Sequence, residues 1–318
     1  MSKSKRIFGE VVLGVFMSCA FMGCSTAWAQ GTAQINGTIR DASGAIVPGA
    51  EIRMTQTATN AVRTVTSGAD GSYVLADLPL GPYRLEVSKE GFSRYVQSGL
   101  VLEVASSPTI DIALKVGAVN EQVQVEANVA QVETQETGVG QVIDSQRVLE
   151  LPLAARNSQQ LVIMAGAAVG GGAQATNRSY PVNLISVAGG QRDALTYVLD
   201  GGTHNEPYIN SSMPLPFPDA LQEFKVETSA LPAQYGFHSN ATVNAVTKAG
   251  TNEFHGDAFD FLRNGDLNAR DFFAVARDTL KRNQFGGTVG GPIRKDKLFF
   301  FAGYQGTIQK SSPPQTVA

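Results

Sequence analysis

The sequence predicts a mainly β chain in three parts: a seven-stranded β-sandwich, a mixed α+β domain, and the opening strands of a transmembrane β-barrel. Three observations predict it. Residues 33–116 break into short alternating runs at the roughly 8 to 12 residue spacing of a sandwich. Residues 283–305 read as two strands of about ten residues joined by the charged turn Arg294-Lys295-Asp296-Lys297, the geometry of a membrane hairpin. Only 17% of the 318 residues are charged and 33 are glycine, a composition that favours strands and tight turns over long helices.

The chain opens with a secretory signal peptide, residues 1–29. Lys3, Lys5 and Arg6 make its basic start, an apolar stretch broken by Glu10 follows, and Ala27-Trp28-Ala29 forms the cleavage signature before Gln30. Lipoprotein processing at Cys24, within Phe21-Met22-Gly23-Cys24, is the alternative, with a bulky phenylalanine where an aliphatic residue is usual. Both cysteines, Cys19 and Cys24, lie in this segment, so cleavage after Ala29 leaves neither disulfide nor thiol chemistry. The whole chain carries a net charge of −3; the first 29 residues contribute +2, leaving about −5. That balance does not favour nucleic acid. No apolar run after Ala29 approaches the roughly 20 residues of a membrane helix, so any insertion uses strands.

In the sandwich, seven or so strands are expected from the runs 34–40, 50–57, 61–67, 72–75, 83–88, 92–96, 100–104 and 109–114, with turns at Asp41-Ala42-Ser43-Gly44 and Asp70-Gly71. About 85 residues suffice for a core without disulfides. Gly37-Thr38-Ile39-Arg40-Asp41, Gly44, Pro48-Gly49-Ala50, Gly71-Ser72-Tyr73, Leu78-Pro79 and Gly81-Pro82-Tyr83 resemble the carboxypeptidase regulatory-like domain, a transthyretin-like sandwich with a carbohydrate-binding-like fold. The resemblance implies an accessory fold without a carboxypeptidase's zinc ligands. Fold alone does not confer binding. A spacer or docking module and a sugar site both remain open, with Tyr73 and Tyr83 read as core or rim aromatics.

Residues 117–140 form a connector rich in Val, Gln and Glu. Gln122, Val123, Gln124, Val125 and Glu126 alternate like a strand with no obvious partner, the kind of segment that adds to the edge of another protein's sheet. The segment also resembles the TonB box, by which outer-membrane receptors recruit the energy-transducing TonB protein; that resemblance makes these five residues candidate TonB contacts. A final strand of the sandwich followed by linker is the other reading.

Residues 141–250 mix helices and strands. Ser145 is expected to cap a helix stopped by Pro152, and Ser158 another that includes Leu161, Val162 and Met164. Gly170-Gly171-Gly172 reads as a flexible loop, without the Gly-Lys-Ser/Thr of a phosphate loop. Strands are expected at 184–188, 196–199, 224–228 and 241–247, with a turn at Asp200-Gly201-Gly202 and a short helix near Ala220 and Leu221. Leu151-Pro152-Leu153, Arg156-Asn157, Gly190-Gln191-Arg192, Leu199-Asp200-Gly201, residues 220–226, Gln234-Tyr235-Gly236, residues 244–256 and residues 282–287 resemble TonB-dependent outer-membrane receptors, in particular the Oar-like group that also carries the regulatory-like sandwich. Phe237-His238 departs from that pattern, where relatives commonly have an arginine and small residues. The resemblance implies a plug domain at 141–250 and a barrel of about 22 strands, of which residues 251–318 supply about three.

Those strands are expected at 253–263, 282–293 and 298–307, with a long polar outer loop at 264–281 and a short periplasmic turn at 294–297. Phe285, Val289 and Ile293 share the lipid face; Gln284 and Thr288 share the other. Phe299 to Phe301 and Tyr304 read as interface aromatics, a buried sandwich strand being the alternative. In the first strand His255, Asp257, Phe259, Phe261 and Arg263 share one face, so its alternation is poor. Because three strands do not close, the chain reads as the front of a larger protein.

The sequence offers little catalytic chemistry. His204, His238 and His255 lack metal-ligand spacing, and no Gly-x-Ser-x-Gly elbow supports a triad. The chain therefore reads as a non-enzyme without cofactor or metal, located in the outer membrane with sandwich and plug on the periplasmic side. Its expected function is the N-terminal portion of a TonB-dependent receptor or transporter; the alternative is a periplasmic or surface module that binds carbohydrate or protein. The plug-loop residues Arg192, Asp193, His204 and Tyr208 are the ligand candidates, suited to a polar ligand such as a glycan or peptide.

Overall fold

The structure, a computed structural model, describes residues 32–117, 122–126, 138–174, 182–192, 194–208, 210–229, 231, 240–270, 272 and 276–311. The expected signal peptide at residues 1–29, Asp193, residues 234–239 and the chain's last seven residues lie outside these. Among the described residues no helix is long and apolar enough to cross a membrane.

The sandwich is built from β1 (Thr32–Asp41), β2 (Glu51–Gln56), β3 (Val62–Thr66), β4 (Ser72–Pro79), β5 (Gly81–Ser88), β6 (Arg94–Leu102) and β7 (Ile112–Leu114). One sheet runs β4-β1-β7. The other runs β3-β2-β5-β6 and is extended by β8 (Gln122–Glu126). Period-two alternation places Ile35, Ile39, Ile52, Met54, Leu85 and Val87 in the core between them. Tyr73 and Tyr83 are buried there too, and each hydroxyl is engaged: Tyr73 donates to the Ile110 carbonyl and Tyr83 to the Pro79 carbonyl, both at 2.7 Å. The two runs expected at 92–96 and 100–104 are one strand, β6, in which Gly99 takes φ 80° and the register against β5 shifts. A bulge absorbed by glycine keeps a strand continuous where the pattern suggests a break.

The connector strand does have a partner. β8 lies parallel to β6, with Arg94 opposite Gln122 and Ser98 opposite Glu126, and Val123 and Val125 half-buried. The pairing makes β8 the added sandwich strand that was one expectation for this segment.

The middle domain centres on a five-stranded sheet ordered β13-β12-β15-β14-β9, from β9 (Val139–Asp144), β12 (Leu195–Leu199), β13 (Gly202–Thr203), β14 (Leu221–Ser229) and β15 (Ala241–Thr247). One face carries Phe224, Val226, Val243 and Ala245 into a core closed by helices α1 (Ser145–Glu150) and α2 (Gln160–Met164), with Val148, Leu161 and Val162 buried. Both caps differ from expectation. Asp144 caps α1 by accepting from the Arg147 N–H at 2.9 Å, while Ser158 donates to the Pro216 carbonyl and tethers the Pro-rich loop. A carboxylate one residue earlier is the stronger N-terminal acceptor. Gly170-Gly171-Gly172 is no loop either: it lies in β10 (Ala168–Gln174), which pairs with β11 (Val182–Val187). Asp200, in the left-handed turn after β12, accepts from the Thr247 backbone at 2.8 Å and from its hydroxyl at 2.9 Å, a structural role.

The last part is the three-stranded antiparallel meander of β16 (His255–Asn264), β17 (Lys281–Arg294) and β18 (Leu298–Lys310). Its long loop and short turn fall where expected. The outward face exposes Leu262, Val289, Ile293, Tyr304 and Ile308, whereas Gln284 and Thr288 are buried on the other.

The opposite face of the middle sheet is polar, and it meets the sandwich. Glu223 accepts from the Val104 N–H at 2.8 Å, Lys225 donates to the Ala105 carbonyl at 3.4 Å and pairs with Glu227 at 3.0 Å, and Val246 is buried in the sandwich core. Burial pushes the Glu223 carboxyl up to about 7, and Glu103 and Asp144 push the same way. The Val104 N–H and Lys225 oppose them without prevailing. The folded chain then holds this proton more tightly than the unfolded chain, so stability falls as pH rises between about 4.5 and about 7. Glu223→Gln keeps an acceptor but cannot ionise. Its thermal midpoint relative to the parent is expected to rise from about pH 5 to about pH 8 in circular dichroism melts; a gap that does not change with pH would contradict this.

Candidate functional site

After α1, Pro152 stops the helix and residues 154–156 form a single 3-10 turn in which Ala155 and Arg156 take φ of 58° and 50°. Two successive left-handed non-glycine residues are costly unless the surroundings hold them. The surroundings do. Arg156 forms an ion pair with Asp219, which sits in a second 3-10 turn, Pro218–Ala220, and both side chains are about nine-tenths buried. The same guanidinium lies over the rings of Phe259 and Phe261 on β16, 4.6 and 4.1 Å from their centroids. The Gln284 side-chain amide of β17 donates to the Ala155 carbonyl at 3.0 Å.

Phe217 completes the contact. Its ring is 5.9 Å from that of Phe259 and rests on Gly303 of β18, where a Cβ would come within 2.9 Å of the ring. Thus each of the three strands offers the middle domain something different: aromatic faces, a polar amide, and a gap. Lys248 and Asp257 add a long ion pair at 3.9 Å. Burial pushes the Asp219 carboxyl up more strongly than the Arg156 guanidinium pulls it down, and Asp257 pushes it further up.

The predicted ligand residues are not assembled in this way. Arg192 and Tyr208 are exposed, Tyr208 by 90%, while His204 is half-buried with Nε2 3.1 Å from the Pro214 carbonyl. No described contact joins the three. Their loops are nevertheless ordered by residues the sequence reading missed. Asn205 accepts from the Tyr197 N–H and donates to the Leu195 carbonyl, and Asn240 donates to the Gln191 carbonyl. Asparagines between strands are a turn signal, though not one that names a partner. Arg156 had a signal as well: Phe259, Phe261 and Arg263 on one face of a membrane strand only make sense if that face meets protein. Among the described residues no group of His, Cys, Asp or Glu is arranged to hold a metal ion.

Comparison with known proteins follows this division. Residues 34–115 match the carboxypeptidase regulatory-like domain, and residues 246–318 match an outer membrane beta barrel domain. The TonB-dependent transporter Oar of Myxococcus xanthus is 29% identical over 324 residues, covering 96% of this chain and 29% of its own length. The chain thus spans under a third of that relative. Among solved structures, the siderophore receptor PirA of Acinetobacter baumannii aligns with a TM-score of 0.42 at 20% identity, over 57% of this chain and 26% of its own. Hydroxyquinol 1,2-dioxygenase of Pseudomonas putida aligns with a TM-score of 0.23 at 12% identity, over 28% of this chain and 57% of its own. At these scores neither structure speaks to ligand or reaction. By sequence the chain is thus similar, across nearly its whole length, to a TonB-dependent transporter, and its matched outer membrane beta barrel domain places it in the outer membrane.

Proposed function

We propose that this chain supplies the plug and the first wall strands of a TonB-dependent transporter, in which residues 141–250 block a barrel lumen and a pull on the connector remodels them to admit a ligand. The two-sided meander carries the reading. Its outward face exposes Leu262, Val289, Ile293, Tyr304 and Ile308, with Asp260 among them, while its inward face holds Arg156 and Phe217 of the middle domain. A sheet with those two faces suits a wall around a plug. The sandwich touches the meander at the short turn, which supports placing it on the periplasmic side.

TonB is the proposed partner and Gln122 to Glu126 the proposed contact, by strand addition. β8 ends its sheet, so its outer edge is unpaired among the described strands. Arg192, Asp193, His204 and Tyr208, with the loop between β16 and β17, are the proposed ligand surface for a peptide or glycan. The alternative of a glycan-binding module without transport finds no platform in Tyr73 and Tyr83, whose rings are core and whose hydroxyls are already engaged.

Two outcomes test this reading. A peptide of residues 119–129 is expected to bind the C-terminal domain of TonB, and Val123→Pro, which removes a ladder donor, to abolish binding in calorimetry; undiminished binding by the proline peptide would rule out strand addition. Within the plug, Arg156→Ala leaves Asp219 buried without its cation. It is expected to cost about 3 kcal/mol in chemical denaturation of the chain in detergent, and Arg156→Ala with Asp219→Asn to cost less. Equal costs for the single and double variants would show that the pair is not coupled.

A further inference from the structure

The turn between β2 and β3 reaches across to the meander. Asn60 donates from Nδ2 to Asp296 Oδ1 at 2.8 Å, and Asp296 stands in the turn between β17 and β18. The same carboxylate oxygen accepts from Asn252 Nδ2 at 2.8 Å, and Asn252 Oδ1 accepts in return from the Asp296 N–H at 2.8 Å. Asn252 belongs to the segment joining the plug to β16, and its own N–H donates to the Ala58 carbonyl at 3.0 Å. Three pieces of chain that are far apart in sequence therefore meet at one carboxylate. Asn60 and Asp296 have φ of 58° and 63°, so these two positions need residues tolerant of the left-handed region, and both use such residues to bond each other.

On its other side the sandwich is fastened to the plug by Val104 to Glu223, by Ala105 to Lys225 and by Val246 in its core. One small domain thus grips both the plug and the wall. We propose that the sandwich is a clamp, which holds the plug against the first wall strands through Asn60 and Asp296 and has to release that turn before the plug can leave the wall. This goes beyond the transport reading, since it assigns the sandwich a mechanical role whichever ligand is carried.

The test uses the full chain in detergent with Cys19 and Cys24 changed to serine and a single probe, Thr288→Cys, on the inward face of β17 where Thr288 is buried. Asn60→Gly and Asp296→Gly remove the clamping side chains while keeping the left-handed backbone, so the fold is retained and is checked by circular dichroism. Asn60→Gly, which loses one hydrogen bond, is expected to raise the rate of thiol labelling at position 288 by about fivefold, and Asp296→Gly, which loses two, by at least as much. A second chain, Asn60→Cys with Asp296→Cys and the Thr288→Cys probe, is bridged by a short bis-maleimide before the probe is labelled. Bridging is expected to proceed in high yield and to slow labelling below the unbridged rate. Parent-like labelling in both glycine variants, or failure to bridge positions 60 and 296, would overturn the clamp. Failure of TonB to bind the connector would leave these outcomes untouched, so the two readings fail separately.

Discussion

The structure turns on the burial of one guanidinium. A cation taken out of water needs both a counter-charge and donors or faces to replace its hydration, and Arg156 finds a carboxylate in Asp219 and two rings in Phe259 and Phe261. Arginine suits this where lysine does not, because a flat, weakly hydrated fork can stack and pair at once. The consequences spread outward. Ala155 and Arg156 are held in left-handed backbone, the Pro218–Ala220 turn is pinned to bring Asp219 up, and β16 must turn its aromatic face inward.

That inward turn resolves the apparent disorder of the first wall strand. A strand between lipid and water should alternate apolar with polar, but a strand between lipid and a packed domain is apolar on one side and whatever the domain demands on the other. Here the demand is mixed: rings for Arg156, Gln284 for a carbonyl, and Gly303 for Phe217. The outward side makes no such demand, and it exposes the large apolar side chains Val289, Ile293, Tyr304 and Ile308.

This difference also decides what was legible in the sequence. Strands whose partners are adjacent and whose faces are uniform, such as the 241–247 run and the hairpin across Arg294 to Lys297, could be read almost to the residue because period and turn chemistry are local signals. The β6 bulge and the glycine run of β10, where the register against β11 shifts, were not legible, since glycine marks a loop and a strand bulge equally well until a partner strand is known. Helix caps missed by one residue for a similar reason: Asp144 and Ser145 both qualify as caps, and only the Arg147 amide chooses between them. The site was the least legible part. Arg156 belongs to a motif the sequence shows, yet its role depends on Asp219 and on β16, 63 residues and about a hundred residues away, and no local pattern carries such a pairing.

β14 is where the parts converge. Asp219 lies just before it, Glu223 and Lys225 on it bond the sandwich, and its other edge strand β9 receives the chain that arrives from the connector. β9 ends the sheet, so a load entering through the connector acts first on an edge strand, whose removal leaves β12, β15 and β14 paired. Edge strands open at lower cost than central ones because only one ladder is lost. The order of the sheet therefore separates what a pull reaches first, β9, from what anchors the plug to the wall, the Asp219 turn at the start of β14. In the transport reading, the plug can begin to open at the β9 edge while Arg156 still holds it in place.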